Sequence, residues 1–138
     1  MILFLDVDGV LNNNEIILTE GAYALGTNQL LALKHLVDGL KCDIVLSSTW
    51  RMYDKCLKTL KKAFKEHNIP LWIDATPQLG TLPRRHEIKE WLKQNGQKKC
   101  IIIDDDIDAF FKEAVCIHTD YKVGLTMELV EECLSVKH

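Results

Sequence analysis

Two aspartates separated by one residue close an apolar run, Leu3-Phe4-Leu5-Asp6-Val7-Asp8-Gly9, and are the residues of this sequence best suited to chemistry. In an extended chain, residues i and i+2 project to the same side, so Asp6 and Asp8 face together while Val7 turns back into the interior. Like charges held this way repel and lose hydration, which a bound cation would offset. Gly9 lets the backbone turn sharply and approach a ligand closely. The plainer reading is a local turn built on Asp-Gly. A second acidic run ends another apolar segment, Ile101-Ile102-Ile103-Asp104-Asp105-Asp106. One acid suffices to cap a following helix, and three exceed that need. Together the two clusters offer the hard oxygen ligands that Mg²⁺ takes, with positions left for water and phosphate oxygens.

A third stretch, Val45-Leu46-Ser47-Ser48-Thr49-Trp50-Arg51, supplies hydroxyls and a cation. Hydroxyls at the passage from strand to helix can bind phosphate oxygens beside helix N-terminal amides, and serve equally well as N-caps. Arg51 is a candidate for a second anion or a solvated side chain; Trp50 is expected to pack. Arg84 and Arg85 open a helix, where the macrodipole favours acids instead. Two cations there imply a nearby anion, either a phosphate or the carboxylates themselves, against the alternative of a solvated basic surface. Among the histidines only His118 follows a strand at the same edge; His35, His67, His86 and His138 read as helix-surface or tail residues.

These side chains need a scaffold that gathers them. Five short apolar runs, Ile2–Leu5, Asp43–Leu46, Leu71–Ile73, Cys100–Ile103 and Ala114–Ile117, read as strands buried on both faces. Helical spacing fills the intervals. A helix starting at Thr27 or Asn28 carries Leu30, Leu33, Leu36 and Val37 and is expected to end near Gly39. Others are expected over Met52–His67, stopped by Pro70, and over Arg84–Gln94, stopped by Asn95-Gly96. A short one is expected over Asp106–Glu113, and a last one from Thr126 to about Val136. Alternating strands and helices imply a parallel sheet covered on both faces, with ligands at the carboxyl ends of its strands. Each run is followed there by an acid, a hydroxyl or an imidazole: Asp6 and Asp8, Ser47 to Thr49, Asp74, Asp104 to Asp106, His118 and Asp120.

Composition sets the limits. The chain has 138 residues, 47% hydrophobic and 27% charged, which suits one globular domain over 1–138 and excludes a disordered or fibrous chain. A net charge of −3 disfavours nucleic-acid binding by bulk charge. The lysines at 55, 58, 61, 62 and 65 read as a solvated helix face, a nucleic-acid contact only if the fold turns it toward the site. No apolar run approaches the roughly 20 residues of a membrane span, and Met1–Leu5 meets Asp6 without a basic leader, so a cytoplasmic protein without membrane contact is expected. Five widely spaced cysteines, none in C-x-x-C, read as reduced thiols.

The motifs resemble those of the haloacid dehalogenase (HAD) superfamily of aspartyl-nucleophile phosphohydrolases. Phe4-Leu5-Asp6-Val7-Asp8-Gly9-Val10 is similar to the first motif, and Ser47 or Ser48 to the second. Arg84 or Arg85 matches the third, and Asp104-Asp105 the fourth. V-L-S-S-T-W-R, R-x-x-E-I-x-x-W-L and I-D-D-D resemble more narrowly the small HAD domains of Swiss Army Knife RNA-repair proteins.

The resemblance implies an α/β, three-layer Rossmann-like fold with about five parallel strands and no cap domain. The segment 12–27 is too short for a cap and leaves at most a flap from Asn12 to Tyr23. It implies Mg²⁺-dependent phosphomonoester hydrolysis, with Asp6 as nucleophile and Asp8 as general acid and base. Ser47 or Ser48 would orient the phosphoryl group, and Arg84 or Arg85 would balance charge. The metal ligands would be the Asp6 carboxylate, the Asp8 backbone carbonyl and Asp105, supported by Asp104. Gly9, Thr49 and Arg51 are candidate substrate-binding residues. A phosphorylated substrate is implied, with a nucleic-acid end or nucleotide favoured over small metabolites or phosphoproteins. A non-catalytic phosphate- or Mg²⁺-binding module is the main alternative; phosphotransfer through Asp6 stays open, whereas dehalogenation and a purely structural role fit the acids less well. Oligomeric state is not legible in the sequence.

Overall fold

Strand β1 (Ile2–Leu5) is buried along its whole length, and its alternating side chains divide the interior into two cores. Leu3 and Leu5 face one core and Ile2 and Phe4 the other, as the two-residue period of a strand requires. The structure, a computed structural model, describes residues 1–96 and 99–136; His138 lies outside the described residues.

Four further strands join β1 in one parallel sheet: β2 (Asp43–Leu46), β3 (Asp74–Ala75), β4 (Cys100–Asp104) and β5 (Val115–His118). Their order is β3-β2-β1-β4-β5. Leu5 lies opposite Leu46 on one side and Ile103 on the other, so Asp6, Ser47 and Asp104 follow at one level. The backbone continues that level: Asp6 N–H donates to Ile103 O at 3.1 Å and Ser47 N–H to Leu5 O at 3.1 Å.

The helices are α1 (Asn14–Glu20), α2 (Thr27–Leu40), α3 (Asp54–Glu66), α4 (Arg84–Gln94) and α5 (Met127–Leu134). Buried residues of α2, α3 and α5 pack on the Leu3/Leu5 face. Ile88, Trp91 and Leu92 of α4 pack on the other, where the Trp91 ring meets Phe4 edge-on at 5.5 Å. This is the α/β, Rossmann-like sheet with helices on both faces that the sequence implies. Among the described residues no cap is inserted: α1 is the one helix between β1 and α2.

Several boundaries differ from expectation. The third strand is Asp74–Ala75, not Leu71–Ile73, whose Leu71 and Ile73 side chains are exposed; register with β2, not hydrophobicity, sets the pairing. Over Asp106–Glu113 only a 3-10 turn forms, at Ile107–Ala109, capped by the Asp106 side chain. The helix expected from Met52 is split into a 3-10 turn at Thr49–Met52 and α3. Gly39 lies inside α2, which runs on to Leu40 and ends at Lys41 in the left-handed region. A Cβ on Gly39 would sit 2.7 Å from Leu134 Cδ2, so glycine there lets α2 and α5 approach. Helix α1, unforeseen, starts where the Asn13 side chain accepts from Ile16 N–H. All five cysteines are free thiols, four of them buried. Among the described residues no helix is long and apolar enough to cross a membrane.

Candidate active site

The shared register brings the acids of β1 and β4 side by side. Asp6 is 5% exposed and Asp104 fully buried, and oxygens of Asp6, Asp104 and Asp105 lie within 4.8 Å of one another. Arg84, the first residue of α4, reaches this group from above: its Nη1 is 3.1 Å from Asp6 Oδ1 and 2.8 Å from Asp104 Oδ2. The second Asp104 oxygen accepts from Asp106 N–H at 3.0 Å. Asp104 therefore anchors both the arginine and the turn after β4. Of the two arginines, Arg84 meets the acids; Arg85 Nη1 points to Asp108 O at 3.4 Å.

Charge at this corner does not balance. Three carboxylates face one guanidinium, leaving an excess of two negative charges if all ionise. Burial, and then the Asp104 charge, push the Asp6 carboxyl well above the usual carboxylate range, while Arg84 draws it down. Burial and Asp104 likewise raise Asp105. Burial opposes the Arg84 charge, but Asp6 and Asp104 outweigh it and hold the guanidinium firmly protonated. An all-oxygen donor set carrying two surplus negative charges fits a hard divalent cation such as Mg²⁺.

Gly9 is what permits this approach. Its φ is +79°, and a Cβ there would lie 2.4 Å from Asp105 Oδ2. Its polar groups are engaged within the protein: N–H donates to Asn12 Oδ1 at 2.9 Å, and C=O accepts from Thr119 Oγ1 at 2.7 Å. What the geometry gives Gly9 is a spatial role, room for Asp105. Asp8 is exposed and lines the same cavity as Asp6 and Asp105, a space of about 480 Å³. Its Oδ1 accepts from Asn12 Nδ2 at 3.0 Å and from Trp50 Nε1 at 3.2 Å. Its carboxylate stands outside the three-acid group.

A model of the family described as the HAD domain in Swiss Army Knife RNA repair proteins matches residues 2–130 of the 138. The chain belongs to this family. No curated protein and no solved structure matched.

In this HAD domain the β2 side of the cavity is organised differently. Ser47 is fully buried, and its Oγ has no hydrogen-bond partner among the described residues. Ser48 Oγ instead caps the 3-10 turn, accepting from Trp50 N–H at 3.1 Å. Thr49 lines the cavity, whereas neither serine does. Arg51 also borders the cavity, but its guanidinium is fully engaged. Nε donates to Thr76 O at 3.0 Å; Nη1 donates to Ser47 O at 3.1 Å and Ser48 O at 2.7 Å. Nη2 donates to Pro77 O at 3.4 Å and Glu87 Oε2 at 3.1 Å. Five N–H donors exhaust the group, so Arg51 has none left for the second anion expected of it. It fastens the end of β2 to the loop at 76–83, and Glu87 accepts from that loop's Leu79 N–H at 3.0 Å.

Sequence reasoning missed Asn12, Thr119, Glu87 and the polar end of Trp50 as builders of the site. The Trp50 contact had a signal, because a buried indole N–H requires an acceptor. Thr119 had none, since only β5 pairing brings it to Gly9. His118 sits at the expected edge, its Nε2 3.0 Å from Asp105 O, but is exposed and packs on Phe110. Asp74 and Asp120 serve local structure, accepting from Trp91 Nε1 at 2.8 Å and Lys122 N–H at 2.9 Å.

Proposed function

We propose that this HAD domain is a Mg²⁺-dependent phosphomonoester hydrolase acting through an aspartyl-phosphate on Asp6. The observation that carries the reading is the meeting of Asp6, Asp104 and Asp105 with Arg84 at the floor of an open cavity. Asp6 Oδ attacks phosphorus as the bond to the leaving oxygen breaks, and Asp8 gives that oxygen its proton. Water then attacks phosphorus, Asp8 takes its proton, and the Asp6–phosphorus bond breaks. Trp50 and Asn12 both donate to Asp8 Oδ1, so its proton belongs on Oδ2. Arg84 offsets repulsion between the nucleophile and the phosphate dianion. A cation held by Asp6 and Asp105, with Asp104 in support, would supply the remaining positive charge. The Ser47 hydroxyl is free to hydrogen-bond once it is reached, and Thr49 already borders the cavity.

The favoured substrates are phosphorylated nucleic-acid ends or nucleotides. An uncapped cavity admits a large leaving group, and the family is that of RNA repair proteins. Purified protein should hydrolyse p-nitrophenyl phosphate and a terminally phosphorylated oligonucleotide with Mg²⁺, and EDTA should stop it. Turnover surviving Asp6→Asn would refute the nucleophile. Mg²⁺-dependent thermal stabilisation without turnover across a broad phosphate panel would leave only a binding module.

A further inference from the structure

One side of the cavity mouth is acidic. Beyond β4 stand Asp105, Asp106 and Asp108. The chain entering α3 borders the same cavity at Met52 and exposes Tyr53, Asp54 and Lys55 beyond it. Tyr23, from the segment between α1 and α2, completes this side. Its ring meets Trp50 edge-on at 6.2 Å, and Lys55 Nζ lies 4.7 Å from its centroid. Since Trp50 Nε1 holds Asp8, this aromatic pair is one hydrogen bond from the cavity floor. Behind Tyr23 opens a groove of about 260 Å³ whose polar lining is Thr27, Thr59, Lys62, Glu66 and His67.

Helix α3 has five lysines and two acids in 13 residues, in a chain of net charge −3. Lys55, Lys58, Lys62 and Lys65 follow i, i+3, i+7, i+10 spacing and form one stripe, opposite buried Cys56, Leu60 and Phe64. At 1.5 Å per residue the stripe leads about 15 Å away from the mouth. We propose that this stripe, headed by Tyr23 and Tyr53, is the track along which a single-stranded nucleic acid lies when its terminal phosphate enters the cavity. The proposal rests on the phosphatase reading above. A polyanion leaving over Asp106 and Asp108 is repelled, whereas lysines along α3 neutralise successive phosphates and exposed rings at its head stack bases. The stripe itself lies outside the cavity, and Lys55 against Tyr23 is its link to the mouth.

The test uses the full chain carrying Asp6→Asn and a fluorescent, 5′-phosphorylated single-stranded 10-mer RNA, titrated by anisotropy at several salt concentrations. Affinity should fall with salt at a slope of about −0.7 per phosphate neutralised. Lys58→Glu/Lys62→Glu should weaken binding at least tenfold and flatten that slope, and Tyr23→Ala should weaken it about fivefold. The reversal Lys89→Glu/Lys93→Glu on α4, across the sheet, is the control. Equal losses from the control, no loss from the α3 reversal in a variant with native circular dichroism, or tighter binding of a phosphopeptide would each overturn the track. p-Nitrophenyl phosphate turnover by the unsubstituted chain is measured alongside. Lysine-dependent RNA binding without that turnover would sink the phosphatase reading and support the track.

Discussion

Two corners of one cavity, a few residues apart in the sheet, are built on opposite principles. At the β1–β4 corner three carboxylates share a single guanidinium and remain electrostatically unfinished. At the β2–α4 corner Arg51 and Glu87, with side chains only 5% and 11% exposed, pair with each other, and Arg51 donates to four carbonyls as well, so no donor of its guanidinium is left over. Both corners hold charged residues at strand or helix ends, and both looked like ligand sites in the sequence. What separates them is completeness. A buried charged group whose hydrogen bonds are all met by the protein is a fastening, and one whose charge is unmet awaits a ligand.

The comparison breaks most sharply at Asp6. Asp6→Asn should lower phosphatase kcat by a factor of about 10³ or more, as loss of a covalent nucleophile does. The same substitution should raise the melting temperature of cation-free protein near neutral pH. The sign follows from linkage: the folded state holds the Asp6 proton more tightly than the unfolded chain does. Stability without cation therefore falls as pH climbs from the ordinary carboxylate value toward the raised one, and the asparagine removes that fall. Melting curves in EDTA, run upward in pH from the ordinary carboxylate value of about 4, check it. A stability loss matching that of a core truncation would mean the acid corner is structural after all.

Arg51→Ala should behave in the contrary way, destabilising by about 3–5 kcal/mol in urea titrations because it strands Glu87 and buried carbonyls. If Arg51→Ala changed KM for phosphate esters while leaving stability intact, the corner would be a ligand site and the distinction would fail. Gly9→Ala should cost about 1–3 kcal/mol for the positive φ and should weaken Mg²⁺ binding by displacing Asp105, read by calorimetric titration. Smallest is Trp50→Phe, which removes one donor from Asp8. A fall of about tenfold in kcat is expected, corresponding to about 1.5 kcal/mol for a hydrogen bond to a charged group.

Much of the frame was legible beforehand. Apolar runs of four residues located β1, β2 and β4, because strands buried on both faces admit little else; the run at 114–117 located β5 too, although that edge strand exposes Cys116 and His118. The run Leu71-Trp72-Ile73 misled for the same reason: its hydrophobicity resembles a strand, yet the ladder with β2 is formed by Asp74 and Ala75. Arg84 and Arg85 were equivalent in sequence. The 100° step between neighbours on a helix sends the first to the acids and the second toward Asp108, and only the seat of α4 on Phe4 and Ile102 says which.

The order of residue types along the chain therefore determined which chemistry this protein carries: acids at two strand ends, hydroxyls at a third, and a cation opening a later helix. That information is local, since it depends on side-chain period and on where an apolar run stops. Tertiary structure decided which of those groups are free. Whether a guanidinium or hydroxyl is engaged depends on carbonyls and carboxylates far along the chain, 36 residues for Arg51 and Glu87 and 110 for Thr119 and Gly9, and no local pattern encodes such a partner.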